Sequence, residues 1–143
     1  MESRMTGRPT TILLAEDNDD HAELILKSLN SQRLTRGIIR VSNGEDALDN
    51  LLNRGEFTNP EKHPLPDLIL LDLRMPKITG FDVIKEVKTS EGLRQIPVVI
   101  LTTSNSEHDI SRAYELGANS YLVKPVELQA LSQMLDDLGK FSG

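Results

Sequence analysis

The sequence predicts an α/β protein with a doubly wound, five-stranded parallel sheet and five helices. Short apolar runs of strand length alternate five times with segments whose apolar residues recur at helical spacing. Turn residues such as glycine, proline, asparagine and serine separate these segments. Strands that alternate with helices favour a parallel sheet, because right-handed crossovers place the helices on its two faces. The length of 143 residues suits one such domain.

The first apolar run, residues 11–15, ends at two acids and is typical of a buried strand. Asp19 or Asp20 can cap the helix that follows, and we expect this helix to end near Leu34. Its apolar residues recur on one face. They are Ala22, Ile25, Leu26 and Leu29.

A second strand and a second helix come next. Gly37 leads into the β-branched run 38–41, and the turn residues 42–44 separate this run from the helix. The helix again has one apolar face. Its members are Ala47, Leu48, Leu51 and Leu52. Residues 54–66 contain three prolines and few apolar side chains, which predicts a long exposed loop.

Three more strands alternate with three more helices in the second half of the chain. The strands are residues 68–71, 96–101 and 120–123. Turn residues follow the first of them and precede a helix with an apolar face. That face holds Phe81, Ile84 and Val87. The next helix stops at Gly117, and the last spans residues 127–140 with leucines on one side.

Composition argues against several classes of function. The net charge of −6 would repel a nucleic-acid backbone. The chain has no cysteine, which excludes disulfides and thiolate zinc sites and is compatible with a reducing cytosol. No apolar run approaches the roughly 18 residues that span a bilayer, and the polar residues 1–9 lack the apolar stretch of a signal peptide. We therefore expect a cytoplasmic protein without nucleic-acid or membrane partners, in which residues 1–9 are flexible and residues 10–143 form the domain.

Acidic, hydroxyl and amine side chains lie at the carboxyl ends of the predicted strands. This is the edge where parallel α/β sheets bind ligands. They are Glu16, Asp17, Asp72, Thr102 and Lys124. Three carboxylates packed together would repel one another unless a cation lay between them. Oxygen ligands without histidine or cysteine favour Mg²⁺ or a similar hard ion.

This combination of residues suits phosphoryl transfer. An aspartate oxygen beside a metal ion can attack phosphorus and form an acyl phosphate. The metal and Lys124 would neutralise charge on the phosphoryl oxygens, and the Thr102 hydroxyl would donate one hydrogen bond.

Four stretches of the chain contain these strand ends: ILLAEDN at the first strand, LILLDLRMPKITG at the third, PVVILTTS at the fourth and YLVKP at the fifth. Together they resemble one family, the CheY-like receiver domains of response regulators. They have the family's order and approximate spacing, and the resemblance covers roughly residues 10–139. It implies a flavodoxin-like sheet with the strand order 2-1-3-4-5.

The resemblance also implies a role for each residue of the site. Asp72 would be the phosphoacceptor, and Lys124 would bind the phosphoryl group. The bound ion would be Mg²⁺, or Mn²⁺ in its place. Its ligands would be Glu16, Asp17, Asp72 and the backbone carbonyl of Arg74.

Two residues would form the conformational switch of such a domain. Thr102 would move toward the phosphoryl group, and Tyr121 matches the aromatic position whose side chain turns inward on activation. The family further implies a cis bond at Lys124–Pro125. Thr103 and Arg74 depart from the commonest pattern and border the path of an attacking water, so the lifetime of the phosphorylated state stays open.

The sequence therefore predicts a two-component response regulator without an output domain. It would receive a phosphoryl group from a sensor histidine kinase and then change its association with a partner or with itself, acting as a switch rather than as an enzyme. The long loop and the stretch GLRQIPVVILTTS resemble the response regulators of bacterial phytochromes, so a phytochrome is a candidate kinase. A homodimer through the fourth helix, fifth strand and fifth helix is one expected output.

Two alternatives stay open. An aspartyl phosphatase of the haloacid dehalogenase type also uses an aspartate and Mg²⁺, but it expects a second acid two residues after the nucleophile, where this chain has Arg74. The other is a receiver fold that binds a partner without phosphorylation, although all five site residues are present. We interpret His21, His63 and His108 as structural or surface residues.

Overall fold

The protein folds as a five-stranded parallel sheet with five helices. The structure, a computed structural model, describes residues 10–31, 35–54 and 65–142. The strands are β1 (Thr10–Ala15), β2 (Thr35–Val41), β3 (Leu68–Leu71), β4 (Val98–Thr102) and β5 (Ser120–Val123). The helices are α1 (Asp19–Ser31), α2 (Gly44–Leu51), α3 (Gly80–Thr89), α4 (Glu107–Leu116) and α5 (Leu128–Ser142). The order β2-β1-β3-β4-β5 confirms the predicted flavodoxin-like class.

Both faces of the central strands are buried, because side chains alternate between the faces and helices cover each of them. On one face, Leu13 and Ile69 pack with residues of α2, α3 and α4. On the other face, Leu14, Leu70 and Leu101 pack with residues of α1 and α5. The central strands are therefore apolar throughout, and polar side chains are left to the strand ends.

The capping residue of α1 differs from the prediction. The helix begins at Asp19, and its cap is Asn18, whose Oδ1 accepts a hydrogen bond from the backbone N–H of His21 at 3.0 Å. The assignment of the cap to Asp19 or Asp20 was therefore wrong by at least one residue. Asparagine and aspartate cap helices about equally well, so side-chain chemistry could not separate these neighbours. The predicted helix end near Leu34 lies outside the described residues.

Two strand boundaries were wrong by two residues or more, whereas one helix boundary was confirmed. Strand β2 begins at Thr35 instead of residue 38, because Gly37 already pairs with β1 in the register of the sheet. Strand β4 begins at Val98 instead of residue 96, because Pro97 has no N–H to donate to a strand ladder. Helix α4 ends before Gly117, which adopts a φ of 114°, a left-handed conformation that suits glycine.

Parts of the sequence prediction fall on residues that the structure leaves undescribed. They are the N-terminal segment 1–9, most of the loop 54–66, and His63. Helix α5 overlaps the predicted residues 127–140. Within the described ranges, no helix combines the length and the apolar character that crossing a bilayer requires.

Candidate functional site

The carboxyl ends of four strands meet at one edge of the sheet. Backbone hydrogen bonds fix them there: the N–H of Asp72 donates to the Ala15 carbonyl (3.0 Å), and the N–H of Lys124 donates to the Thr102 carbonyl (2.7 Å). The side chains that follow these strands are thereby brought into contact. The residues that form one cluster are Glu16, Asp17, Asp72 and Lys124.

Three carboxylates form the acidic part of this cluster. One oxygen from each of Glu16, Asp17 and Asp72 lies within 4.8 Å of the others. Glu16 (1% exposed) and Asp72 (7%) are buried, whereas Asp17 is exposed. Burial raises the pKa of the Glu16 carboxyl above its ordinary value, and the hydrogen bond from Lys124 acts in the opposite direction. A donor set of carboxylate oxygens alone fits a hard divalent ion such as Mg²⁺ or Mn²⁺.

Lys124 supplies the positive charge of the site. Its side chain is only 8% exposed, and its Nζ donates to Asp72 Oδ2 (3.0 Å) and to Glu16 Oε1. A third contact joins Nζ to Nδ1 of His21 at 3.1 Å. The peptide bond between Lys124 and Pro125 is cis, as the family resemblance implied. The ammonium therefore links β5 to both buried carboxylates.

Both carboxylate oxygens of Asp72 have partners. Oδ1 accepts a hydrogen bond from the backbone N–H of Arg74 (3.2 Å), and Oδ2 accepts the one from Lys124. Close packing with the start of α3 fixes the backbone behind them, since a Cβ at Gly80 would lie 2.4 Å from the Asp72 carbonyl oxygen. The Asp72 side chain is thus held in one orientation.

The two predicted switch residues meet at the loop between β4 and α4. Thr102 is fully buried, and its Oγ1 accepts a hydrogen bond from the backbone N–H of Ser104 at 3.5 Å. Tyr121 is half-buried, and its hydroxyl donates to the Ser104 carbonyl at 2.9 Å. Burial raises the pKa of the Tyr121 hydroxyl, which keeps the hydroxyl a donor at neutral pH. Ser104 therefore connects Thr102 to Tyr121.

A buried acid that we did not single out in the sequence anchors the same loop. Asp109, in the first turn of α4, is 7% exposed. Its Oδ2 accepts hydrogen bonds from Ser104 Oγ (2.7 Å) and from the Arg74 guanidinium (3.0 Å). Its spacing of four residues from the buried Ala113 was the available signal, because that spacing places both on the inner face of a helix. Arg74 thereby joins the loop after β3 to helix α4.

We expect Asp109→Ala to lower the free energy of unfolding by about 1–3 kcal/mol, because it leaves the Ser104 hydroxyl without its acceptor. The ion pair with Arg74 contributes little to this loss, since the Arg74 side chain is 72% exposed. Urea denaturation followed by circular dichroism measures the change. Glu115→Ala, at an exposed position of the same helix, is the control. Equal losses in the two variants would contradict an anchoring role for Asp109.

Two further contacts of the site went unnoticed in the sequence. Arg40 on β2 donates from Nε (3.0 Å) and Nη2 (2.6 Å) to the Glu16 carbonyl and pairs with Asp19 (2.9 Å), so it holds the end of β1. His21, which we interpreted as a structural or surface residue, contacts Lys124. The signals were a cation inside a β-branched run and a histidine one helical turn after the strand-end acids. His108 is exposed on α4.

The fold and this edge of the sheet define a receiver-type α/β domain. Residues 12–136 match the response regulator receiver domain family. Because the match covers most of the chain, the chain belongs to this family. It is therefore a signalling domain of a two-component system, as the motifs at its strand ends predicted.

Two relatives are similar to the chain over most of their own length. The probable methanogenesis regulatory protein FilR2 of Methanothrix harundinacea is 42% identical over 134 residues, which cover 93% of this chain and 83% of FilR2. Response regulator Rcp1 of Synechocystis is 38% identical over 133 residues, which cover 93% of this chain and 88% of Rcp1.

Solved structures extend the comparison to two functional states of relatives. The Mn²⁺-bound form of Rcp1 has a TM-score of 0.75 at 37% identity, with 94% of each chain covered. The phosphorylated cyanobacterial phytochrome response regulator RcpA has a TM-score of 0.79 at 37% identity, with 93% of each chain covered. One relative thus holds a divalent metal, and another carries a phosphoryl group.

Proposed function

We propose that the protein accepts a phosphoryl group on Asp72 from a histidine kinase, in a reaction that requires Mg²⁺, and that this modification changes its association with other proteins. The observation that carries the proposal is the position of Asp72. It lies at the edge of the sheet where ligands bind. One of its oxygens accepts a hydrogen bond from a backbone N–H, and the other accepts one from Lys124. The phosphorylated relative RcpA supports the same reaction class.

Four groups of the chain would hold the metal. They are the carboxylates of Glu16, Asp17 and Asp72, which lie together, and the backbone carbonyl of Arg74, which the resemblance to receiver domains implies. A bound Mg²⁺ would supply charge neutralisation at the phosphoryl oxygens. The Mn²⁺-bound relative Rcp1 supports a divalent ion, and the oxygen-only ligands favour Mg²⁺ as the physiological choice.

The transfer itself is a displacement at phosphorus. An Asp72 carboxylate oxygen forms the new P–O bond while the P–N bond of the donor phosphohistidine breaks, and the imidazole leaves. Lys124 moves its hydrogen bond from the Asp72 carboxylate to a phosphoryl oxygen. Thr102 gives up its contact with the Ser104 amide, and its hydroxyl donates a hydrogen bond to another phosphoryl oxygen.

The movement of Thr102 would reach the surface through Ser104. Because Ser104 lies two residues after Thr102 and accepts the hydrogen bond of Tyr121, a shift of this loop releases the tyrosine hydroxyl. Helix α4 and strand β5 carry exposed apolar side chains, Tyr114 (47%) and Val123 (40%), that suit a contact with a partner or a second copy. Phosphorylation would thus bias the face formed by α4, β5 and α5 between two states.

We expect Tyr121 fluorescence to report this switch, because the chain has two tyrosines and no tryptophan. In a Tyr114→Phe variant, Tyr121 is the remaining tyrosine. Its emission should change when acetyl phosphate and Mg²⁺ are added. The same addition should have no effect on Tyr114→Phe combined with Asp72→Asn. An unchanged spectrum in a sample that mass spectrometry shows to be phosphorylated would rule out the release of Tyr121.

Acetyl phosphate labelling tests the proposed reaction directly. With Mg²⁺ the intact mass should increase by one phosphoryl group, and with EDTA in place of Mg²⁺ it should not. Labelling that survives EDTA would contradict the metal requirement. A lack of labelling under conditions that preserve acyl phosphates would favour a receiver fold that binds its partner without phosphorylation.

We propose that residues 10–143 form the receiver domain, that it works in the cytoplasm as a switch without a separate substrate to turn over, and that its kinase is a phytochrome, as the RcpA relative suggests. A dehalogenase-type phosphatase fits the site less well. The position two residues after Asp72 is Arg74, and the other acids come from the end of β1.

A further inference from the structure

The ammonium of Lys124 has three N–H donors, and three acceptors surround it. Two are the carboxylates of Glu16 and Asp72, and the third is Nδ1 of His21 at 3.1 Å. An ammonium can only donate, so Nδ1 carries the lone pair and the proton of the neutral imidazole lies on Nε2. His21 therefore completes the hydrogen bonding of a buried cation.

His21 reaches the site from a helix, whereas the two carboxylates stand at strand ends. Its backbone N–H is fixed by the cap residue Asn18 at 3.0 Å, and its ring is half-buried. The ring also lines an apolar cavity of about 260 Å³, together with Lys124 and Pro125. The first turn of α1 thus places the imidazole beside the ammonium.

A metal ion would affect the three acceptors differently. Glu16 and Asp72 belong to the carboxylate cluster, so a divalent cation and the ammonium compete for the same oxygens. His21 lies outside that cluster, so it can still accept a hydrogen bond from Lys124 when the metal binds the carboxylates. Without it, the ammonium would depend on the two carboxylates alone and would compete with the metal more strongly.

We propose that His21 is a positioning residue for Lys124. When a divalent cation draws Glu16 and Asp72 away, His21 keeps the ammonium at the rim of the site, within reach of an arriving phosphoryl group. This role rests on the proposed function, because it requires the metal at the carboxylates. It also predicts that His21 acts on metal affinity through the lysine and through no other group.

Calorimetric titration with Mg²⁺, without any phosphodonor, tests the role. His21→Leu should raise the Kd for Mg²⁺ about 3- to 10-fold, as expected for the loss of one hydrogen bond of ordinary strength. His21→Asn should restore most of the affinity, because its Oδ1 stands on the same side-chain branch as Nδ1. In a Lys124→Met background, His21→Leu should leave the Kd unchanged. His108→Leu, on the exposed side of α4, is the control.

Each outcome of this titration is decisive. A His21→Leu protein that binds Mg²⁺ like the wild type overturns the proposal, and so does an equal loss in the Lys124→Met background. If the wild-type protein binds no Mg²⁺, the proposed metal site fails and the role of His21 fails with it. If Mg²⁺ binds but His21 and Lys124 show no coupling, the positioning role alone is overturned. Thermal melts without metal verify that each variant is folded.

Discussion

Asp72→Asn is expected to remove all phosphoryl labelling by acetyl phosphate while the protein stays folded. The asparagine amide has nearly the shape of the carboxylate but is not a nucleophile toward phosphorus. Its oxygen can still accept a hydrogen bond from Lys124 or from the Arg74 amide, so the surrounding backbone keeps most of its contacts. Intact mass spectrometry measures the labelling, and circular dichroism measures the fold.

The matched control for this substitution is Asp136→Asn, the same chemical change at an exposed position of α5. This variant should be labelled as fast as the wild type. Labelling that persists in Asp72→Asn would place the acceptor on another carboxylate, and Asp17 is the neighbouring exposed one. If both variants lost the label, the effect could not be assigned to Asp72.

The sheet and the strand-end cluster were predictable because both follow from local patterns. Residues 12–15 and 68–71 are apolar throughout, since both faces of their strands are buried, and the acids that follow them stand out in the sequence. The shared carboxyl edge of parallel strands then brings together residues as distant as Glu16 and Lys124. One general rule of α/β folds was thus enough to predict the cluster, without knowledge of the individual contacts.

Contacts between side chains on different elements could not be predicted in this way. His21 and Lys124 are 103 positions apart, and the spacing of apolar residues in α1 gives no information on what its polar face meets. The partners of Asp109 come from two separate loops, which no periodicity connects. The prediction of the α1 cap was wrong for a related reason. Asn18 and its two acidic neighbours have similar capping chemistry, so the backbone angles decide which of them caps the helix.

Gly80→Ala is expected to destabilise the protein by about 3 kcal/mol, the upper end of the range for overpacked sites, and to slow phosphoryl labelling as well. A Cβ at this position would lie 2.4 Å from the Asp72 carbonyl oxygen and 2.8 Å from the Leu73 Cα. Both are backbone atoms, so they cannot rotate away as the end of a side chain could. The N–H of Gly80 also donates to the Leu73 carbonyl at 3.0 Å, which ties the start of α3 to the same peptide.

Gly92→Ala separates this packing effect from the general cost of replacing a glycine. A Cβ at Gly92 would meet nothing within 4 Å, so its stability should stay within about 0.5 kcal/mol of the wild type. Urea denaturation and the labelling rate of the folded protein are measured on both variants. Equal stabilities would mean that α3 can retreat from the end of β3 without cost. Any displacement of the Asp72 peptide would also displace the carboxylate from Lys124 and from the Arg74 amide, and labelling would then slow. A destabilised Gly80→Ala protein that is still labelled at the wild-type rate would therefore mean that α3 moves and the Asp72 peptide does not.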